Sequence, residues 1–481
     1  MRALCSWIAL AVTVGGVSGA QAQTIGVSCP KFFADRHQAI ACTEAIFSQN
    51  SYHFTLASLP PSNGFGPGLV LIKQLQGTVG TPAREYFLDL SVTGAVTTNG
   101  SWFAGGDLVW DPPLPYKADS SVDGGLLLGK LKSTSRASVQ LTEWHRTVKT
   151  LYDYGNGSAT PDTQFVFAQD DTTFDATARM PLTRWMTATG ESEVRSTTLP
   201  AVSSAAAVSK NLPSAVTPGI SSQPLFLHNA VGAETVFTPR AGKPFREWSD
   251  NDNDKDKDKD NNTDKDSEKD KDNEKVGPHF QSLMLFTLSN NFSYHWQVPT
   301  DESPYAFRQF IYDGHEGMEV HEVLRNFFPA DRHPVTTYMC EGNKKRGECQ
   351  FGQFDVKARL LLTQVSGGNQ VPFYLQPTLG GTDIDSRMTL RGWDNYRFRA
   401  PDLSLIQFEY GIPVYDPVGV YVFYDAGSVG NSVSQLALTQ FRQDAGFGAS
   451  VRIKGQMIMQ TYFAFGAGHG GNWNYNFNKA F

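Results

Sequence analysis

Histidines and carboxylates between positions 315 and 322 come closest to a set that could do chemistry. On a strand, His315, Glu319 and His321 would share one face, and imidazole combined with carboxylate is a common set of zinc ligands. Neither histidine, however, has a second histidine four residues later, so the H-E-x-x-H pattern is absent. We therefore interpret these residues, with Glu316 and Glu322, as polar side chains of a loop or an interior. The sequence also lacks a nucleophile elbow, a phosphate-binding loop and a dinucleotide fingerprint, so we predict no catalytic site, no cofactor and no bound metal.

A second set combines one arginine with two carboxylates. Arg391 lies in a Leu-Arg-Gly-Trp turn, where Gly392 allows a sharp bend and Trp393 supplies an anchor. Glu409 and Asp425 each stand among apolar neighbours on one of the next two strand-like segments. An enclosed carboxylate is costly unless it is paired, and one guanidinium can bind two carboxylates. We predict that the three charges meet in a buried ion cluster; unrelated surface charges are the alternative.

The elements that must position these charges are strands. In residues 403–410, 418–424 and 445–453, apolar side chains alternate with small or polar ones, which is the period of a strand. In the last segment one face carries four aromatic residues, Trp473, Tyr475, Phe477 and Phe481, and the other carries asparagines. A soluble sandwich gives a similar pattern, but here the second face is small and uncharged. We predict an all-β fold, a transmembrane antiparallel β-barrel whose apolar face contacts lipid.

Strand-like runs upstream are less regular. They lie near residues 68–75, 84–97, 101–110, 137–144, 164–168, 173–182, 282–288 and 354–364. Short turns and long connections alternate between them. Residues 202–240, rich in Ser, Ala and Pro, carry no clear period and are left without an assigned element.

The first 22 residues have the composition of a secretory signal peptide. Arg2 supplies a positive charge, residues 8–17 are apolar, and Ala20-Gln21-Ala22 is an A-x-A cleavage site. No segment reaches the run of about 18 apolar residues that a transmembrane helix requires. We therefore expect a mature chain that is periplasmic, secreted or inserted in the outer membrane as a barrel.

The cysteines are expected to be structural. Cys5 is removed with the signal peptide, and the other four form two near pairs, Cys29 with Cys42 and Cys340 with Cys349. Three pairings are formally possible, and proximity in the sequence favours the two local disulfides in an oxidising compartment. The spacing is not C-x-x-C, so it indicates neither a redox site nor a zinc site.

Residues 249–275 are of low complexity, with twelve acidic residues and seven lysines. The segment has nothing apolar to bury, so we predict that it is disordered. The alternation of acidic residues could suggest a calcium loop, but no glycine is available for the turn such a loop requires. Much of the formal net charge of −7 comes from this segment, so the charge does not indicate a charged partner such as nucleic acid.

Five short motifs near the C-terminus resemble, in order and spacing, those of the BamA-type outer-membrane assembly barrels. That superfamily includes TamA, the two-partner-secretion transporters and the chloroplast Toc translocon barrel. The motifs are VPFY and LGG (371–374 and 379–381), LRGW (390–393), FEYGIPV (408–414) and VFYDAGSV (422–429). Weaker similarity extends upstream to residues 152–158 and 58–68.

The resemblance implies a barrel of about sixteen strands with an extracellular loop inserted into it, which fits the chain length. By position, Arg391, Glu409 and Asp425 would form a lock inside the barrel, with Gly392 and Trp393 completing the turn. The four C-terminal aromatic residues, Trp473, Tyr475, Phe477 and Phe481, match the signal by which such barrels are themselves inserted.

Family members that handle client proteins usually carry periplasmic POTRA domains. Only about thirty residues separate Ala22 from the first barrel motif, fewer than the ~50 of a small domain, so we expect a POTRA-less member. Residues 23–51 would be a short N-terminal segment and 52–481 the barrel. The expected function is non-enzymatic: insertion or translocation of proteins at the bacterial outer membrane. Expected partners are outer-membrane lipid and client proteins or assembly-machinery subunits. A pore for small solutes and a surface-exposed structural antigen are the alternatives.

Overall fold

The computed structural model describes the strands and some of the connections between them. The described residues are 52–58, 64–79, 84–111, 138–153, 164–183, 185–212, 217–237, 286–319, 352–383, 387–415, 418–453, 456–466 and 470–477. The predicted signal peptide, the N-terminal segment, the acidic segment 249–275, the four mature cysteines and Phe481 lie outside these ranges.

Sixteen strands of the described chain make one antiparallel sheet, each paired with its neighbours in the chain. They are β1 (Tyr52–Ser58), β2 (Phe65–Val79), β3 (Arg84–Val96), β4 (Trp102–Asp111), β5 (Ser138–Asp153), β6 (Phe165–Thr183), β7 (Met186–Thr198), β8 (Phe226–Phe237), β9 (Phe286–Pro299), β10 (Phe307–Glu319), β11 (Gln353–Val365), β14 (Asp402–Tyr415), β15 (Val418–Gly430), β16 (Arg442–Ile453), β17 (Gln456–Gly466) and β18 (Gly470–Phe477). Two short strands, β12 (Thr378–Leu379) and β13 (Phe398–Arg399), form a separate ladder.

The sheet curls until its two ends are neighbours. Residues of β1 and β18 lie within 8 Å of one another between Cα atoms. No ladder pairing joins these two strands among the described residues. A sheet of about sixteen strands that wraps round in this way encloses an interior wider than its own side chains fill. The predicted all-β fold with about sixteen antiparallel strands is confirmed.

The outer face of the sheet is apolar and the inner face holds the charges. In β15, Val420 and Val422 are 42% and 54% exposed, whereas Phe423 and Asp425 are 5% and 0% exposed. Leu227 of β8 is also exposed, at 44%. Exposed apolar side chains that alternate with buried polar ones are the inverse of a soluble sandwich. The pattern is the one that a lipid-facing wall requires.

The described part of the connection between β11 and β14, residues 366–383 and 387–401, lies inside the curled sheet. One apolar cluster joins it to the wall formed by β5, β6 and β8, through Val148, Phe167, Phe226, Phe373, Tyr374 and Tyr396. A second cluster joins it to the wall formed by β11 and β14, through Leu361, Leu379, Leu390, Trp393, Phe398, Leu403 and Leu405. We call residues 366–401 the inserted segment, since it spans the interior from one wall to another.

Helical structure is limited to short pieces in the described part of the chain. The α-helix α1 (Val208–Asn211) lies in the connection between β7 and β8 and contributes Val208 to the first apolar cluster. No helix among the described residues is long and apolar enough to cross a membrane.

Several strands differ from the sequence prediction. The two runs near residues 164–168 and 173–182 are one continuous strand, β6, of 19 residues. Strands β1, β7, β10 and β17 were not predicted, and residues 202–240 contain α1 and β8. The inward face of β7 is charged, with Glu191 and Glu193, and the outward face is only weakly apolar. Its sequence therefore looked like that of a polar connection.

Candidate interior lock

The Leu-Arg-Gly-Trp turn is fixed by its own backbone and by close contact with the wall. The Trp393 N–H donates to the Leu390 carbonyl oxygen at 3.1 Å. A Cβ added to Gly392 would lie 2.6 Å from the Asp444 Cβ and 2.7 Å from the Gly466 nitrogen, so only glycine fits here. The Trp393 indole N–H donates to the Gln443 carbonyl oxygen at 3.3 Å. The turn is thereby seated against β16 and β17.

Arg391 projects from this turn onto two carboxylates, and we call Arg391, Glu409 and Asp425 the lock. Its Nε and Nη2 donate to the two oxygens of Asp425, each at 2.7 Å. Its Nη1 donates to Glu409 Oε2, also at 2.7 Å. The guanidinium carbon lies 3.6 Å from the centre of the Phe423 ring, a cation–π distance. Two-nitrogen binding of one carboxylate is the strongest geometry open to arginine.

The lock is nearly free of solvent. Arg391 is 2% exposed and Asp425 is 0% exposed, while the Glu409 side chain is 21% exposed. Burial alone would lower the pKa of the Arg391 guanidinium, but the charges of Asp425 and Glu409 outweigh it and raise that pKa above its usual value. Arg391 therefore stays charged, and its loss would leave a buried carboxylate without a cation.

Two further interior residues complete the surroundings of Asp425, and the sequence did not single them out. Gln407 Nε2 donates to Asp425 Oδ1 at 3.1 Å and to the Thr389 carbonyl oxygen at 2.9 Å, so it links the wall to the inserted segment. Asp444 stands directly opposite Asp425 in the β15–β16 ladder and is 4% exposed. Like charges directly opposite one another in a ladder are destabilising. The alternation predicted for residues 445–453 would have placed Asp444 on the inner face, one residue before that run.

The motifs that precede the turn hold the inserted segment in place. Phe373 and Tyr374 of VPFY are buried, and Arg399 Nη1 donates to the Phe373 carbonyl oxygen at 2.6 Å. Gly380 and Gly381 of LGG have φ angles of 112° and 56°, a region that favours glycine. The turn that carries Arg391 is therefore supported from both sides.

A cavity of about 510 Å³ lies beside the lock. Its lining includes Arg391 and Glu409 of the lock, together with Asp355, Lys357 and Arg359 of β11. The cavity is bounded by the wall and the inserted segment, and its charges are of both signs.

The other predicted residues are placed as follows. His315 lies on β10, and its Nε2 lies 2.9 Å from Asp355 Oδ1. Glu316 follows it on the opposite face of the same strand, and His321 and Glu322 lie outside the described residues. Of the C-terminal aromatic residues, Trp473 is 66% exposed on β18. Tyr475 and Phe477 lie on the same strand, and Phe481 lies outside the described residues.

No protein-family model matches the chain, and no curated protein matches it. Among solved structures, the chain is similar to BamA from Haemophilus ducreyi lacking POTRA domains 1–3. The TM-score is 0.46 and the identity 11%, over 89% of this chain and 70% of that one. It is also similar to CdiB from Acinetobacter baumannii (TM-score 0.43, identity 9%, 89% of this chain and 60% of that one). For CdiB from Escherichia coli the values are 0.40 and 10%, over 90% of this chain and 62% of that one. The chain spans less than two thirds of either CdiB.

The assignment of the architecture rests on the strand pairing and packing of this chain. Sixteen antiparallel strands wrap round an interior, and the connection between β11 and β14 occupies that interior. The predicted antiparallel architecture of about sixteen strands with an inserted connection is confirmed by this strand pairing and packing.

Proposed function

We propose that this chain is an integral outer-membrane barrel that promotes the insertion or translocation of proteins. The observation that carries the proposal is the contact of Arg391 with Glu409 and Asp425 inside a sixteen-stranded sheet. This is the arrangement that the resemblance to the BamA-type barrels implied. The lock holds the inserted segment inside the barrel and stabilises the wall formed by β14 and β15.

The outer face supports the membrane assignment. Its exposed valines, leucines and aromatic residues would be costly in water over so large an area, and they match the lipid-facing side of outer-membrane barrels. Lipid is therefore the first partner of this surface.

The junction between β1 and β18 supports the assembly role. These strands are neighbours without ladder pairing among the described residues. Strand edges that lack partners bind other strands through backbone hydrogen bonds. A client strand could therefore add at this seam while the lock keeps the rest of the barrel folded.

A pore for small solutes is the second candidate, and the cavity of about 510 Å³ beside the lock favours it. If the inserted segment closes the interior, loss of the lock would increase conductance. Planar bilayer recordings of the refolded chain and of Arg391→Ala test this reading. A steady conductance that rises in the variant supports the pore, and a silent bilayer with both proteins contradicts it.

The assembly role is tested by depleting the protein from its own host and quantifying the outer-membrane proteome. We expect selective loss of other barrels or of secreted proteins, restored by the wild-type chain and restored only in part by Arg391→Ala. Gly190→Ala is the matched control, since a Cβ added there meets nothing within 4 Å. An unchanged proteome after depletion would contradict the assembly role.

A further inference from the structure

A second group of charged side chains lies on the inner face of the sheet, away from the lock. Glu191 and Glu193 of β7 stand two residues apart, and His228 of β8 is directly opposite Glu193 in the ladder. One ligand atom from each of the three lies within 4.8 Å of the others. His228 is 8% exposed. The lock does not involve any of these residues.

The distances within this group are those of shared metal ligands. His228 Nδ1 lies 3.4 Å from Glu191 Oε1 and 3.4 Å from Glu193 Oε2. The contact with Glu193 is within hydrogen-bonding range, but it is longer than the usual distance of about 2.7–2.9 Å for a charge-assisted hydrogen bond. Two ligands that each lie about 2.0–2.2 Å from a tetrahedral zinc ion are roughly 3.3–3.6 Å apart. A cation placed between the three atoms satisfies both distances at once.

The other nitrogen of His228 is held by a second histidine. His228 Nε2 lies 2.8 Å from His295 Nδ1 on β9, and His295 Nε2 lies 2.7 Å from Ser293 Oγ. When His228 Nε2 carries the proton of that bond, neutral His228 directs the lone pair of Nδ1 at the two glutamates. A hydrogen-bond partner on the far nitrogen is how metal-ligating histidines are usually oriented.

The charge of the surroundings fits a divalent ion. Asp175 of β6 is directly opposite Glu193, and its Oδ1 is buried without a hydrogen-bond partner. Arg195 is a positive charge next to this group, and its Nε lies 3.8 Å from Glu193 Oε1. Three carboxylates and one guanidinium leave two negative charges, which one divalent ion neutralises.

We propose that Glu191, Glu193 and His228 bind one divalent transition-metal ion, with zinc as the best match. Imidazole and carboxylate oxygen suit zinc, and the fourth position is open to water or to Asp175. The ion cross-links β7 to β8 within the barrel wall, whereas the lock attaches the inserted segment to the wall. The sequence did not predict a metal site here, because His228 lies 35 positions after Glu193 in the chain.

The test uses the full mature chain refolded in detergent micelles, stripped of metal and titrated with zinc alone by calorimetry. We expect saturable binding of one zinc ion per chain. His228→Gln and Glu193→Gln should abolish it, and His295→Gln should weaken it about 10–100-fold, the usual effect of losing the partner that orients a ligand. Cobalt in place of zinc should give the visible absorption of a tetrahedral site, and only in proteins with all three ligands.

His315→Gln is the matched control, because His315 also contacts a carboxylate, Asp355, but lies outside the proposed site. It should bind zinc as the wild type does. Heat-modifiable migration on gels shows whether each variant is folded. If His228→Gln does not fold, zinc binding is measured with Glu191→Gln instead, which should also bind less zinc than the wild type. Absence of saturable zinc binding, or equal binding by the wild type and a folded His228→Gln, would overturn the proposal.

Discussion

Replacing Arg391 with alanine should destabilise the barrel more than the loss of any exposed ion pair. The change removes three charged contacts at 2.7 Å and leaves Asp425, at 0% exposure, without a cation. Loss of one partner of a buried pair costs about 3–5 kcal/mol, because the remaining charge stays buried. Glu409, with its side chain 21% exposed, recovers part of its hydration and contributes the smaller share.

Two double-mutant cycles separate the two carboxylates, one that combines Arg391→Ala with Asp425→Asn and one that combines Arg391→Ala with Glu409→Gln. Asp425→Asn in the Arg391→Ala background removes the stranded charge, so the double variant should lose less stability than the sum of the two single variants. We expect a coupling energy of about 2–3 kcal/mol between Arg391 and Asp425, and about 1 kcal/mol between Arg391 and Glu409. The measurement is the free energy of unfolding in urea of the chain refolded in detergent, together with heat-modifiable migration.

Arg179→Ala provides the matched control. Arg179 pairs with Glu234, but its side chain is 51% exposed, so the change should cost less than about 1 kcal/mol. Equal losses in Arg391→Ala and Arg179→Ala, or unchanged unfolding and gel migration in Arg391→Ala, would refute the claim that the lock stabilises the barrel.

Three further outcomes are expected in the same unfolding assay. Asp444→Asn should stabilise the barrel by about 1 kcal/mol, because it removes a carboxyl group that stands directly opposite Asp425; an unchanged or lower free energy of unfolding would contradict this. Gly392→Ala should lower the free energy of unfolding by about 1–3 kcal/mol, because the added Cβ forces a backbone shift. Gly411→Ala should be neutral, since no atom lies nearer than 3.8 Å to a Cβ added there. Equal losses in the two variants would contradict the close approach of Gly392 to the barrel wall. Deletion of residues 249–275 should leave heat-modifiable migration unchanged, and loss of the folded form would show that this segment is needed for folding.

The strands and the charged residues near the C-terminus could be predicted from the sequence, because a simple physical rule applies to each. Period-two alternation located β14, β15, β16 and β18, since a strand exposes every second side chain to the same environment, but β17 was not predicted. The pairing of Arg391 with Glu409 and Asp425 was predicted because an enclosed charge requires a counter-charge. Sequence reasoning was less accurate upstream: β6 was divided in two, and β7 and β10 were missed.

Those failures have a common cause. An inner face that meets the interior of a barrel can hold charged residues, so a strand such as β7 has no apolar face strong enough to reveal its period. Which charges become neighbours depends on the register between strands, and a shift of one residue would turn each side chain to the other face. The sequence by itself determined the all-β class and predicted the lock. Only the tertiary structure placed Asp444 opposite Asp425 and His228 opposite Glu193, because these contacts follow from the strand pairing and not from distance along the chain.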